Sequence, residues 1–124
     1  MTHMPNPRVH IVEDDPAVID GLCLLVTACG HTVFAWPDAE TFLEMAEIAH
    51  GDHVLVDIDL PGISGATLCR WLADRPESPN LIAMSGLPAN VLKPILAKLP
   101  TRTFLRKPLV IDDLEAALSD RQAP

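Results

Sequence analysis

A chain of 124 residues, 48% hydrophobic and 21% charged, is one ordinary globular domain, because folding at this length removes roughly 65% of the unfolded surface from water without disulfide or metal staples. Nine Lys and Arg against 17 Asp and Glu give a formal net charge of -8 and an isoelectric point near 4.8, which repels phosphate backbones and anionic lipid and argues against a nucleic-acid or membrane-surface binder. A mean hydropathy of +0.22, with apolar residues along the whole chain, excludes an acidic disordered tail.

Short strand-like runs alternate with longer helix-like stretches five times, the pattern of an α/β protein with a parallel sheet covered by helices on both faces. Arg8 to Glu13 is the first strand. Asp15 caps a helix that opens on Pro16 and carries Leu22, Leu25 and Val26 to a stop at Gly30. Thr32 to Ala35 is the second strand, and Pro37 and Asp38 open a second helix whose Phe42, Met45 and Ile48 recur at helical spacing up to an end near Gly51. Val54 to Asp57, an apolar run closed by an acid, is the third strand. The Leu60-Pro61-Gly62 turn leads into a third helix from Ser64 to about Asp74. Leu81 to Met84 and Thr103 to Leu105 are the last two strands, and a final helix runs from about Ile111 to Ser119 with Asp112 and Asp113 near its positive end. Between strands four and five, Pro88, Pro94 and Pro100 crowd the chain, so a full-length fourth helix has to start or bend at Pro94 and a short or mobile element is expected. Residues 8–120 form the domain, with tails at 1–7 and 121–124.

In a doubly wound parallel sheet the ligand site lies beyond the carboxyl ends of the strands. The polar residues fall there: Glu13 and Asp14 after the first strand, Asp57 and Asp59 after the third, Ser85 after the fourth and Lys107 after the fifth. Two carboxylates about 5 Å apart repel by about 3 kcal/mol at an effective dielectric of 20, so the cluster requires a cation or protons. An all-oxygen set with room for water suits Mg²⁺. Lys107, a mobile point charge, suits an incoming phosphoryl group, and Ser85 can donate it one hydrogen bond. A carboxylate beside a divalent cation, facing an ammonium and a hydroxyl, has what a nucleophile in phosphoryl transfer needs.

Four segments carry a family resemblance: Ile11-Val12-Glu13-Asp14-Asp15, Val54 through Gly65, Met84-Ser85-Gly86 and Phe104-Leu105-Arg106-Lys107-Pro108-Leu109. Together they resemble the receiver domain of two-component response regulators, in order and over nearly the whole chain. The resemblance implies a flavodoxin-like doubly wound (βα)5 sandwich with strand order 2-1-3-4-5. It makes Asp57 the phosphoacceptor and Asp14 a direct Mg²⁺ ligand, with Glu13 acting through water and the Asp59 carbonyl ligating. Lys107 pairs with Asp57 and then the phosphoryl group, before a cis peptide to Pro108. Ser85 is the switch hydroxyl, Phe104 the aromatic that turns with it, and Asp59 and Leu87 tune hydrolysis. The implied partners are a sensor histidine kinase or phosphotransfer protein docking near the first helix, and a downstream output protein or domain. A homodimer through the fourth-helix region is a further expectation. The chain departs from the family between Leu87 and Thr103, where Lys98-Leu99-Pro100-Thr101 replaces an Ala-Gly-Ala-like turn, and this puts the standard output face in doubt.

Plainer readings stand beside these. Asp15 is a helix cap rather than a metal ligand, and Phe104 serves as core packing as readily as it serves as a switch. Ser85-Gly86 has the composition of a turn, and Lys107 could be a surface lysine. His50 and His53 are separated by Gly51, which argues against a metal pair, and His3, His10 and His31 have no ligand spacing. Trp36 and Trp71 are expected to cover the core. Cys23, Cys29 and Cys69 are an odd set without a Cys-x-x-Cys, read as reduced core thiols of a cytoplasmic protein. Apolar runs of about five residues fall short of the ~20 that span a membrane, and no signal peptide is visible.

Three other classes compete. Asp57-x-Asp59, Ser85, Lys107 and Asp112-Asp113 also resemble the motif set of haloacid-dehalogenase-type phosphatases. That family needs a cap or longer core, has Gly-Thr where Leu60-Pro61 stands here, and leaves Glu13 and Asp14 unexplained. A flavodoxin-like cofactor binder needs a phosphate loop where Glu13-Asp14-Asp15 would repel phosphate. A receiver-fold interaction module without phosphorylation keeps the architecture only. With no basic segment after the last helix, direct DNA binding is not expected, and the protein is read as catalysing only its own phosphotransfer and dephosphorylation. Whether it stands alone or belongs to a longer regulator stays open.

Overall fold

The computed structural model describes residues 7–76, 78–101 and 103–119. Five strands, β1 (Val9–Val12), β2 (Val33–Trp36), β3 (His53–Asp57), β4 (Asn80–Ser85) and β5 (Thr103–Arg106), alternate with α1 (Pro16–Ala28), α2 (Ala39–Met45), α3 (Gly65–Ala73), α4 (Ala89–Leu96) and α5 (Ile111–Ser119). The sheet is parallel throughout in the order β2-β1-β3-β4-β5, the doubly wound arrangement expected from the resemblance. Order reverses between β1 and β3, so their C-terminal ends define a crevice.

Alternation along the central strands divides the core in two. Val9 and Ile11 of β1, Leu55 of β3, and Ile82 and Met84 of β4 face α1 and α5, where Leu22, Val26, Leu114 and Leu118 meet them. Val12, Val54, Val56 and Leu81 face α2 and α3 and pack on Phe42, Leu68, Cys69 and Leu72. Burial of side chains of this size contributes about 1.5–3 kcal/mol each. A smaller cluster seats α4 through Leu92 on Ile58 and Ala83, with Phe104 and Leu87 packed beside it.

Local chemistry fixes the helix starts. The side chains of Asp15, Asp38 and Ser64 accept the first free amides of α1, α2 and α3, from Ala17, Thr41 and Thr67 respectively. Gly30 follows α1 in the left-handed region with φ of 89°, the stop its position predicts. Asp15 is therefore a cap, as expected.

Four expectations need correction. First, α2 ends at Met45 rather than near Gly51, leaving Ile48 off the helix. Ala46 turns extended, and the following segment is tied down when Arg8 Nη2 donates to the Glu47 carbonyl at 2.8 Å and the Ala49 amide to Asp52 at 2.8 Å. Second, β2 extends to Trp36, whose carbonyl accepts the Glu13 amide at 3.0 Å. Third, α4 starts at Ala89, not at Pro94: the Pro88 carbonyl accepts from both Val91 and Leu92, and Pro94 falls late enough to remove a single bond. The helix is short, eight residues, as expected. Fourth, Trp71 is 48% exposed and covers little of the core.

The N-terminal end of the sheet carries a buried polar network that no local pattern announced. Asp52, 2% exposed, accepts from the Arg8 amide at 3.1 Å, Arg8 Nε at 3.2 Å, Arg8 Nη2 at 3.0 Å and the Ala49 amide at 2.8 Å. His10 Nε2 approaches the same carboxylate at 3.4 Å, and Trp36 Nε1 donates to His10 Nδ1 at 3.2 Å. Burial alone would push the Asp52 carboxyl up, but the Ala49 amide and the Arg8 guanidinium outweigh it and hold the group below its ordinary value.

Candidate functional site

The crevice gathers the predicted residues because each directly follows, or ends, a buried strand. Glu13 and Asp14 leave β1, Asp57 and Ser85 close β3 and β4, and Lys107 leaves β5. Backbone bonds fix these ends to one another: the Ile58 amide donates to the Met84 carbonyl and the Lys107 amide to the Ser85 carbonyl, both at 3.0 Å. Carboxylate oxygens of Glu13, Asp14 and Asp57 lie within 4.8 Å of one another.

Lys107 is the counter-charge. Its ammonium donates to Asp57 Oδ2 at 3.1 Å and to Glu13 Oε1 at shorter range. The Glu13 contact is direct, a pairing beyond the Asp57 contact that the resemblance implies for Lys107. Its second oxygen, Oε2, accepts the amides of Asp14 at 3.0 Å and Asp15 at 3.3 Å. Asp57 is likewise fixed at both oxygens, since Oδ1 accepts the Asp59 amide at 3.0 Å.

Electrostatics follow from burial. Glu13 is wholly buried, and burial pushes its carboxyl up from 4.5 to about 7; the Lys107 ammonium opposes the rise and the Asp57 charge adds to it. For Lys107 burial alone would lower the ammonium, but Glu13 and Asp57 override it and raise the group above its ordinary value. Between pH 4.5 and about 7 the folded protein therefore holds a proton on Glu13 that the unfolded chain has released, so this group's contribution to stability is lost as pH rises through that window. Replacing Glu13 by Gln, which keeps the shape without the charge, removes this pH dependence, so the variant's unfolding free energy in chelator should rise relative to the parent's by on the order of 1–3 kcal/mol as pH goes from 4.5 to 7. Urea titrations at several pH values check this; a constant difference contradicts it.

Ser85 is buried, and its Oγ accepts the Leu87 amide at 3.0 Å, leaving the hydroxyl proton free to donate. Phe104 is half-buried against α4, Leu87 lies beside it, and Asp59 and Asp14 are exposed at the rim. The Lys107–Pro108 peptide is cis. His50 is exposed, whereas His53 is buried and bonds Asn80 at 2.9 Å. Cys69 is buried, with its thiol pushed up to about 11 by burial, whereas Cys23 and Cys29 are half-buried; all three are free.

Two features were missed in the sequence. One is Gly65: a Cβ there would collide with the Asp57 carbonyl and lie 2.7 Å from Ile58 Cα, because the start of α3 presses on the strand end that carries Asp57. Gly65→Ala is expected to cost about 1–3 kcal/mol by overpacking and to displace Asp57. Thermal melting checks the loss, and an unchanged midpoint contradicts it. The other is an apolar cavity of about 610 Å³ beside Lys107, lined by Val18, Leu22, Leu25, Pro108 and Leu109 and flanked by Leu24, which is 74% exposed. Its lining comes from two segments far apart in sequence.

The structure is thus an α/β module, a doubly wound sheet whose C-terminal rim holds three clustered carboxylates, a buried hydroxyl and one ammonium. A family model for the response regulator receiver domain matches residues 9–119, and the chain belongs to that family. Its members serve two-component systems, where phosphorelay through an aspartyl phosphate is the family's characteristic chemistry. The chain is 32% identical over 100 residues to the transcriptional regulatory protein FixJ of Azorhizobium caulinodans, covering 81% of this chain and 47% of that one. It thus spans about half the length of that relative, and 58% of the FixJ of Bradyrhizobium diazoefficiens. Among solved structures, a CheY-like receiver domain from Methylobacillus flagellatus superposes with a TM-score of 0.78 at 27% identity, covering 90% of this chain and 95% of that one. The receiver domain of a Pseudomonas aeruginosa sensor histidine kinase, solved with magnesium coordinated in its active-site cleft, shares the fold with a TM-score of 0.80 at 21% identity, covering 91% of this chain and 94% of that one. Among the described residues no helix is long and apolar enough to cross a membrane.

Proposed function

We propose that this chain accepts a phosphoryl group on Asp57 from a histidine kinase or phosphotransfer protein and passes the change to a downstream output protein or domain. The observation that carries this reading is the Lys107 ammonium held between Glu13 and Asp57, with Asp14 completing a carboxylate set of Mg²⁺ type. An Asp57 oxygen forms the new O–P bond as the N–P bond of a phosphohistidine breaks, and the departing imidazole takes a proton. Lys107 and the Asp59 amide orient the nucleophile, and the Ser85 hydroxyl supplies a donor to the transferred group. Glu13, Asp14, Asp57 and the Asp59 carbonyl would hold Mg²⁺, which supplies charge neutralisation for the phosphoryl oxygens.

After transfer, Ser85 and Phe104 relay the new charge toward α4, and Asp59 and Leu87 set how fast the acyl phosphate hydrolyses. The apolar groove between α1 and the Lys107–Leu109 turn suits the apolar face of the phosphodonor, and the magnesium-bearing relative supports the metal assignment. Incubation with a small-molecule phosphodonor in Mg²⁺ or in chelator tests the reading. One phosphoryl adduct per chain is expected in Mg²⁺ and essentially none in chelator. Equal labelling in chelator overturns the metal assignment, and multiple turnover of an unrelated phosphomonoester would favour a phosphatase.

A further inference from the structure

We propose that His10 and Trp36 form a proton-operated latch joining β1 to the edge strand β2, closed while His10 is neutral and released when its Nδ1 takes up a proton. This goes beyond the phosphoacceptor reading and stands without it. An indole Nε1–H can only donate, so the 3.2 Å contact from Trp36 makes His10 Nδ1 the acceptor. The ring proton is thereby assigned to Nε2, which points at Asp52 Oδ2 at 3.4 Å. His10 is 1% exposed, stacked on Phe34 with centroids 5.5 Å apart and edge-on to Phe42 at 5.7 Å. A proton arriving at Nδ1 puts two N–H donors face to face, and the indole has to leave.

The charged groups around the ring are few. Arg8, on the residue preceding β1, opposes a second positive charge, while Asp52, in the turn before β3, favours it. Glu47, from the segment after α2, lines the same opening. Phe42 and Met45 of α2 and Phe34 and Trp36 of β2 do not titrate. Burial outweighs Asp52 and holds the imidazole below its ordinary 6.5, so the latch stays closed at neutral pH and opens in mild acid. A cavity of about 190 Å³, lined by Arg8, His10, Phe34, Trp36, Met45 and Glu47, opens beside the buried ring. The same Trp36 accepts the Glu13 amide through its carbonyl at 3.0 Å, so the latched residue also anchors the chain at the edge of the acidic crevice.

Trp71→Phe leaves Trp36 as the sole tryptophan of the chain. Its emission should shift to the red as pH falls from 8 to 5, with a one-proton midpoint below 6.5, and His10→Gln in that background should abolish the transition. A flat profile, or a transition that survives His10→Gln, overturns the latch. Imidazole ¹⁵N shifts of the unsubstituted protein provide a measurement independent of the variants. Neutral His10 protonated at Nε2 at pH 7 supports it, and a charged ring or an Nδ1–H tautomer overturns it.

Discussion

Asp52→Ala is expected to remove about 3–5 kcal/mol of unfolding free energy, the largest stability loss at any polar position described above. The side chain is 3% exposed and serves the Arg8 amide, the Arg8 guanidinium, the Ala49 amide and His10. Arg8 is 33% exposed and can turn to water, so much of the loss comes from amides and an imidazole left without an acceptor inside the protein. Against a typical stability of about 5–15 kcal/mol, such a loss brings the domain close to unfolding. Asp52→Asn retains an acceptor oxygen and should cost less. Because its folded carboxyl lies below 3.8, the parent keeps this contribution above that pH and loses it as pH falls further. Urea denaturation at pH 7 measures both variants; a loss under 1 kcal/mol for the alanine would contradict the network's role.

Lys107→Met is expected to slow phosphoryl labelling of the protein by about 100- to 1000-fold while the fold persists, the scale on which a preorganised donor acts at a reacting oxyanion. Lys107 is the cation that touches both Glu13 and Asp57, so its removal leaves their charges uncompensated and moves the Glu13 carboxyl further up. Lys107→Arg should rescue poorly, because a planar guanidinium does not replace a compact ammonium between two carboxylates whose other oxygens are held by backbone amides. Labelling rates, read by intact mass with circular dichroism as the control for folding, decide the matter. A Met variant that labels at the parent's rate would move the ammonium out of the chemistry.

The strand ends were legible because each is an apolar run closed by a polar residue, which locates the crevice as soon as the alternation implies a parallel sheet. Residue spacing gave less help where partners are distant. Ile48 continues the apolar spacing of Phe42 and Met45, yet α2 stops because Arg8 and Asp52, 44 residues apart, fasten the segment that follows it. Pairing of Glu13 with Lys107 spans 94 residues and left no local mark. Gly65 sat inside a segment quoted for the resemblance, but its close approach to the Asp57 backbone is a property of helix placement. His10, which shows no ligand spacing, proved to be a buried core histidine whose partners come from β2 and from the turn before β3. Trp71 lies on the outer side of α3, where its apolar character said little about where it would point.

Peptide-level mass mapping after incubation with a small phosphodonor and Mg²⁺ tests the central claim most directly. The account predicts a single phosphoryl group on the peptide that contains Asp57, and none on any peptide of the Asp57→Asn variant. A phosphoryl group found on a peptide lacking Asp57, or labelling undiminished in that variant, would contradict it.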